Sequence, residues 1–325
     1  MKLSKALVTG ATGHLGSVLC RALLRAGVDV VAFARPTSPL TALEGLEVRV
    51  VRGDVLDRAS LVRAAEGCDV VFHNAAVFDL HPRDPEHLSR VAIEGARSAV
   101  LAAAGARARL VFTSSVSAVG LGDSPSELLD EDTWAEHLTV PYYRAKQESE
   151  RLALAAAAEH GVDLVRVLPT LVLGPGDHRV TPSSRLLLDM LRGRGATIDG
   201  GTNVIDVRDV ATAMIAAAER GRSGGRYILG GENLLVRQIG EIVTRITGQR
   251  VPHVGVPRWL AYGIAAGIEA GAAVLGRAPA LSRAIVRDVF GRYAFYDVSR
   301  ARGDLGLTTR PLEETIRDAA AFLAG

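Results

Sequence analysis

The sequence predicts a doubly wound α/β fold, a parallel sheet with helices packed on it, and three observations carry the prediction. Short valine-rich runs alternate with helix-length segments through the first half of the chain. A glycine-rich turn joins the first run to the first helix. Glycine and proline punctuation separates the runs, which favours strands over the other reading of such runs, short buried helices.

Taken in order, Ala6-Leu7-Val8 is the first run, followed by a helix from about Leu15 to Ala26. Val28 to Phe33 is the second and ends in Arg35-Pro36-Thr37-Ser38. Val48 to Val51 and Val70 to Phe72 follow, then a helix from about Pro85 to Ala104. Arg109 to Thr113 and Asp163 to Leu168 complete six runs, with a helix from about Tyr142 to His160 between them. Right-handed crossovers then place any ligand at the carboxyl ends of these strands. The rhythm breaks after Pro169: Gly174-Pro175-Gly176 opens an irregular region, and from Asn233 the chain reads as mostly helical. The expected division is residues 1–172 and 204–230 in the sheet domain, and residues 173–203 and 231–325 in a smaller substrate lobe interleaved with it.

Composition narrows the function classes. A length of 325 residues allows one or two domains, and 48% hydrophobic with 23% charged residues is ordinary for a globular protein. Two cysteines, Cys20 and Cys68, exclude a disulfide scaffold and fit a reducing, cytoplasmic location. The 38 basic and 36 acidic residues leave a net charge of +2, no footprint for nucleic acid. Met1 to Thr9 is too short for a secretion signal. The longest apolar stretch, Trp259 to Leu275, contains Glu269 and interior glycines and is short for a bilayer span, so no transmembrane segment is expected. It reads as a buried or groove-lining helix, with attachment to a membrane surface as the lesser reading.

The turn Thr9-Gly10-Ala11-Thr12-Gly13-His14-Leu15-Gly16 spaces its glycines by three and three. The first permits a tight turn, the second a close approach to a pyrophosphate, and the third close packing of helix on strand. The helix amino terminus behind it offers free N–H groups and partial positive charge to phosphates. Strand, turn and helix in this order indicate a dinucleotide-binding Rossmann domain. His14 either touches the cofactor or is a plain turn residue. Past the second strand, where an acidic residue would bind the ribose of NAD(H), stand Arg35, Thr37 and Ser38. A guanidinium with hydroxyls beside it suits a 2′-phosphate, so NADP(H) is favoured over NAD(H), the alternative being a solvated loop arginine. Asp54 and Val55 close the third run, where a carboxylate can accept from the adenine amino group; Asn74-Ala75-Ala76 close the fourth, where small residues let the backbone lie against the cofactor.

Tyr142 and Lys146 stand four positions apart on a helix, about 6 Å along its axis and on one face. An unperturbed phenol titrates near 10, and a nearby ammonium would lower that value so that Tyr142 can exchange a proton with a substrate oxygen. Ser115, at the end of the fifth run, can supply a second hydrogen bond to the same oxygen. Tyr143 is the rival to Tyr142; Ser114 and Ser117 rival Ser115, a turn role being their alternative. Ser117 is carried in the substrate-facing set.

With these residues in view, the chain resembles an extended short-chain dehydrogenase/reductase of the NAD-dependent epimerase/dehydratase superfamily. The likeness spans nearly the whole chain: the glycine turn, Gly53-Asp54-Val55, Asn74-Ala75-Ala76, Thr113-Ser114-Ser115, Tyr142 to Lys146, Arg166 to Pro169 and Gly174-Pro175. Arg83-Asp84-Pro85, Thr181-Pro182-Ser183 and Tyr227 to Asn233 are most similar to the dihydroflavonol-4-reductase-like and hopanoid-associated sugar-epimerase-like branch. The resemblance implies Ser115, Tyr142 and Lys146 as the catalytic set, with Lys146 also holding the nicotinamide ribose. It implies Pro169 and Val172 beside the nicotinamide, and a homodimer formed through the helices near Pro85 to Ala104 and Tyr142 to His160.

Departures from that pattern bear on the substrate. Leu171 stands where nucleotide-sugar members commonly carry asparagine, Asn203 near where they carry arginine, and Ala92 replaces a common asparagine. Losing two polar anchors leaves a pocket suited to apolar ligands, lined by Phe78, Leu171, Val172 and the segment from Trp259. The expected function is NADP(H)-dependent ketone reduction or secondary-alcohol oxidation on a hydrophobic small molecule. The alternatives are a nucleotide-sugar epimerase or dehydratase with retained NAD(P), and a non-catalytic NADP sensor.

Overall fold

The computed structural model describes residues 2–276, 279 and 281–324. Its elements run β1 (Lys5–Thr9), α1 (His14–Arg25), β2 (Asp29–Ala34), β3 (Arg49–Arg52), α2 (Arg58–Ala65), β4 (Val70–His73), α3 (Pro85–Ala106) and β5 (Arg109–Thr113). Then come α4 (Pro141–His160), β6 (Leu164–Pro169), β7 (Leu171–Leu173), α5 (Pro182–Leu191), β8 (Thr197–Ile198), β9 (Gly201–Asp206), α6 (Val207–Arg220) and β10 (Arg226–Leu229). The chain continues through β11 (Glu232–Leu235), α7 (Val236–Thr247), β12 (His253–Val254), α8 (Arg258–Val274), α9 (Arg283–Asp288), α10 (Ser299–Leu305) and α11 (Leu312–Ala324).

All six expected runs are strands of one parallel sheet, in the order β10-β6-β5-β4-β1-β2-β3. The winding reverses between β1 and β4, whose ends align as Thr9 with His73, and that reversal opens a crevice at their carboxyl ends. β10 is a seventh strand, pairing Arg226 with Arg166 of β6. Successive strand residues face opposite sides, so Leu7 enters one core with Val31, Val71 and Leu110 while Ala6 and Val8 enter the other with Phe72 and Val167. Burial on both faces explains why β1, β2, β4, β5 and β6 read as continuous apolar runs, while β3 is an exposed edge strand. Alanines make the layer over the first core thin: Ala96, Ala99 and Ala103 of α3 and Ala153 and Ala157 of α4 are all buried. Helix ends follow local chemistry. Asp84 Oδ1 accepts from His87 N at 2.8 Å to start α3, and α4 starts on Pro141 and stops at left-handed Gly161.

After β6 the chain builds a second, three-stranded sheet, β11-β9-β7, with β9 antiparallel to β11. The helices from α7 onward agree with the expected helical C-terminal portion. One expectation about it fails. The apolar segment from Trp259 does form a helix, α8, but it is not buried. Trp259 is 75% and Val274 87% exposed, and only Ala261 and Ala265 are buried, against Val286 and Phe290. An apolar run all round a helix does not say which face its neighbours cover, and here α9 covers a narrow alanine stripe. No helix among the described residues is long and apolar enough to cross a membrane.

Candidate active site

The crevice is built first from backbone. Gly10 has φ +63°, and a Cβ there would meet the Ala75 Cα and N at 3.0 Å. A Cβ on Gly16 would land on the Gly10 carbonyl oxygen. Thr9 fixes the two loops together: its Oγ1 accepts from Asn74 N at 3.1 Å and Ala75 N at 3.2 Å, and pairs with His73 Nδ1 at 3.1 Å. Burial drives the His73 pKa down to about 3, so the ring is neutral and Nδ1 accepts from the threonine hydroxyl. Asn74 Oδ1 accepts from Thr113 Oγ1 at 2.6 Å, which leaves a buried Nδ2 donor without a protein partner. The α1 amino terminus has no side-chain cap. A cradle of bare backbone, uncapped amides and a spare amide donor fits a dinucleotide.

These loops border a cavity of about 680 Å³. Around it stand Gly10, Thr12, Gly13, His14, Leu15, Gly16, Arg35, Asp54, Val55, Asn74, Ala75, Ala76, Phe78, Ser115, Tyr142, Lys146, Pro169 and Val172. Ser117 and Leu171 do not line it: Ser117 N donates to Ser115 Oγ at 3.2 Å, and Leu171 packs on the apolar cluster of Leu187 and Met190. The His14 side chain is tied elsewhere, with Nε2 bonded to Pro175 O at 3.2 Å. Burial lowers its pKa, against the opposing charge of Asp177. Asp54 Oδ1 accepts from Leu56 N at 2.9 Å, bracing the loop after β3. Ser38, read beside Arg35 as a hydroxyl near the phosphate, lines the cavity, and so does Arg179, which sequence reading missed because it lies in the irregular stretch where no periodicity marks it.

Tyr142, Ser115 and Lys146 converge at the far end of this cavity. The Tyr142 ring is flanked by Phe78 at 4.9 Å and Tyr143 at 6.0 Å between centroids. Burial raises the Tyr142 pKa well above its ordinary value, opposed by a hydrogen bond from the Ser115 side chain. The expected lowering by Lys146 does not figure in this phenol's shift, which burial dominates. Lys146 Nζ donates to Thr113 O at 3.0 Å, and burial depresses its pKa to about 8, against the raising effect of Glu150. The rivals are occupied otherwise. Ser114 Oγ donates to Glu150 Oε2 at 2.6 Å, and Tyr143, pushed up to about 12 by burial, does not line the cavity.

Three struts, two of them buried and Asp288 half-buried, brace this part of the structure. Glu150, one turn past Lys146, accepts from Arg226 Nε at 2.7 Å and from Arg166 Nη1 at 3.3 Å. Asp288 of α9 accepts from Thr139 N, Thr139 Oγ1 and Val140 N at 2.7–2.9 Å, fixing the entry to α4 just before Tyr142. Asn203 is 1% exposed, donates to Asn233 Oδ1 at 2.7 Å and accepts from Gly231 N at 2.9 Å. It ties β9 to β11, so its residue type says nothing about sugar binding, contrary to the sequence expectation. A second hollow of about 520 Å³ lies between Leu80, His81, Pro82 and Arg83 and the segment carrying Ser282 and Ala284, with Pro141 on its wall.

Comparison with known proteins agrees with this geometry. Residues 6–230 match the NAD dependent epimerase/dehydratase family. A Synechocystis sp. protein named "Putative dihydroflavonol 4-reductase" is 36% identical over 319 residues, 96% of this chain and 92% of that protein. Sterol demethylase protein B of Methylococcus capsulatus is 34% identical over 337 residues, 97% of each chain. Among solved structures, gox2253 superposes with a TM-score of 0.87 at 32% identity, covering 99% of this chain and 98% of that one. The chain therefore belongs to the NAD dependent epimerase/dehydratase family and is an NAD(P)-dependent enzyme of the extended short-chain dehydrogenase/reductase type.

Proposed function

We propose that the protein is an NADP(H)-dependent ketone reductase or secondary-alcohol dehydrogenase acting on a hydrophobic small molecule. The observation that carries the reading is the meeting of Tyr142, Ser115 and Lys146 in one cavity with the glycine turn. When bound, the nicotinamide supplies or accepts the hydride. The loops of Gly10 and Asn74 hold the dinucleotide, and Arg35, exposed at the end of β2, takes the 2′-phosphate of NADP(H). Lys146 binds the nicotinamide ribose, and Pro169 and Val172 set the floor beside the ring.

Tyr142 gives a proton to the substrate oxygen in reduction, or takes one from it in oxidation, while the Ser115 hydroxyl bonds the same oxygen and stabilises its developing charge. A phenol held protonated by burial favours the donating direction. Phe78, 39% exposed beside the Tyr142 ring, offers the substrate an apolar face. In this reading the substrate lies between the crevice and the C-terminal portion, which serves as the substrate lobe. The reductases among the relatives support net redox chemistry; cinnamoyl-CoA reductase 1 of Arabidopsis thaliana is 35% identical over 268 residues. A homodimer through α3 and α4 accompanies this reading.

The test is NADPH oxidation with a panel of apolar ketones, for wild type and Tyr142→Phe. Turnover lost in the variant, with NADPH affinity retained, is the expected result. Interconversion of sugar isomers without net NADPH turnover would replace this reading with an epimerase.

A further inference from the structure

Arg179 stands in the irregular stretch between β7 and α5, far along the chain from the glycine turn. Its Nη2 nevertheless donates to Thr12 Oγ1 at 3.1 Å and to Ser38 Oγ at 3.3 Å. Thr12 belongs to the glycine turn after β1, and Ser38 to the turn after β2. One guanidinium nitrogen thus marks the point where those loops meet, at the rim of the cofactor crevice that Arg35 also borders.

Both ends of this contact are fixed. Ser38 N donates to Arg35 O at 3.0 Å, and Arg52 Nη1 donates to the carbonyls of Arg35 and Ser38 at 2.8 Å. On the other side, His14 holds Pro175 O, while Asp177 Oδ2 accepts from Thr181 N at 2.8 Å and Thr181 Oγ1 at 2.6 Å. Residues 175–181 are therefore braced against the start of α1, and Arg179 is carried to the rim by an anchored loop. Thr12 and Ser38 are 7% and 6% exposed.

Among the described residues no carboxylate pairs with the guanidinium of Arg179 or of Arg35. A guanidinium carries five N–H donors, and two neutral hydroxyls leave its charge uncompensated. Arg35, Arg179 and the hydroxyls of Thr12 and Ser38 together supply two cations and two rotatable donors on the lining of one cavity. That set matches a phosphate monoester, with its near −2 charge and three acceptor oxygens, better than a ribose hydroxyl. We propose that Arg179 is a second arginine ligand of the 2′-phosphate of NADP(H), reaching it from beyond β7 while Arg35 approaches from β2. This rests on the NADP(H) reading above. The bound phosphate then also fastens the 175–181 loop to the turn after β2, a tie that NAD(H) lacks.

Calorimetric titration of NADPH and NADH into wild type, Arg179→Gln and Arg179→Lys tests it. Loss of a charge-assisted bond predicts NADPH binding about 10- to 100-fold weaker in Arg179→Gln, with NADH within about twofold of wild type and Arg179→Lys between the two. Equal weakening of both cofactors would put Arg179 on the pyrophosphate and overturn the assignment, as would no weakening at all. If wild type itself holds NADPH no tighter than NADH, the NADP(H) reading fails and this inference with it. A wild type that discriminates, beside an Arg179→Gln that discriminates equally, sinks the Arg179 role alone.

Discussion

Replacing Glu150 by glutamine tests what holds the catalytic end of the crevice. The substitution keeps the volume and an oxygen that can accept from Ser114, removes the charge and turns the other oxygen into an amide donor. Glu150 is 0% exposed, and its oxygens face Arg226 Nε at 2.7 Å, Arg166 Nη1 at 3.3 Å and Ser114 Oγ at 2.6 Å. Arg226 and Arg166 are 4% and 7% exposed, so neither can turn to water when the carboxylate goes. Arg226 keeps neutral partners, the Glu131 and Thr133 carbonyls at 2.7 Å and the Trp134 ring 3.9 Å from its Cζ, but no second anion. Breaking a buried ion pair from one side costs about 3–5 kcal/mol. At about 2.1 cal/mol/K per residue, a chain of this length unfolds with roughly 0.7 kcal/mol/K, so Tm should fall by about 4–7 °C in calorimetry. Because Glu150 raises the Lys146 pKa, its loss should also carry that value below about 8 and move the alkaline limb of activity to lower pH. A Tm within about 1 °C of wild type would show that the two arginines do not depend on this carboxylate, and the account of the strut would fail.

Two further outcomes follow from the same region. Burial holds the Lys146 pKa at about 8 against a free value of 10.5, so the unfolded chain binds more protons between those pH values. The stability of the ligand-free protein relative to Lys146→Met should therefore rise with pH from about 8 to 10.5, by roughly 3 kcal/mol in chemical unfolding; a flat difference would mean the ammonium is not desolvated. Asp288→Ala removes three bonds at the entry to α4 and lets Tyr142 drift. A displacement of that kind lowers kcat by up to about 100-fold, while NADPH affinity should hold because the glycine turn is untouched; an unchanged kcat would mean α4 needs no strut.

Five of the six strands could be read because both their faces are covered, which forces near-continuous valine, leucine and phenylalanine, whereas β3 is an exposed edge strand betrayed only by its valines. β10, though buried, escaped because its first residue, Arg226, is a buried ion-pair partner rather than an apolar residue. β7 and β9 escaped because the first has three residues and the second carries the inward asparagine strut Asn203. α8 was legible as a helix and misread in its surroundings, since hydrophobicity reports what a segment could bury and not what its neighbours cover.

The site divides along a different line, the reach of each interaction in sequence. Tyr142 and Lys146 are one helical turn apart, and the glycines of the turn are three apart, so local geometry alone brings each set to one side. The groups that position them are not local. Glu150 meets Arg226 across 76 positions, Asp288 meets Val140 across 148, and Arg179 meets Thr12 across 167. No spacing rule connects such pairs; only the closed fold does. The consequence is a physical asymmetry between the two kinds of residue. The local set determines that hydride and proton chemistry is feasible. The long-range set bears on the pKa of Lys146 and, in the assignments proposed above, aims Tyr142 and, through Arg179, discriminates between cofactors. If Arg179 has the proposed role, cofactor specificity depends on a contact formed only when the segment beyond β7 has folded back onto the sheet.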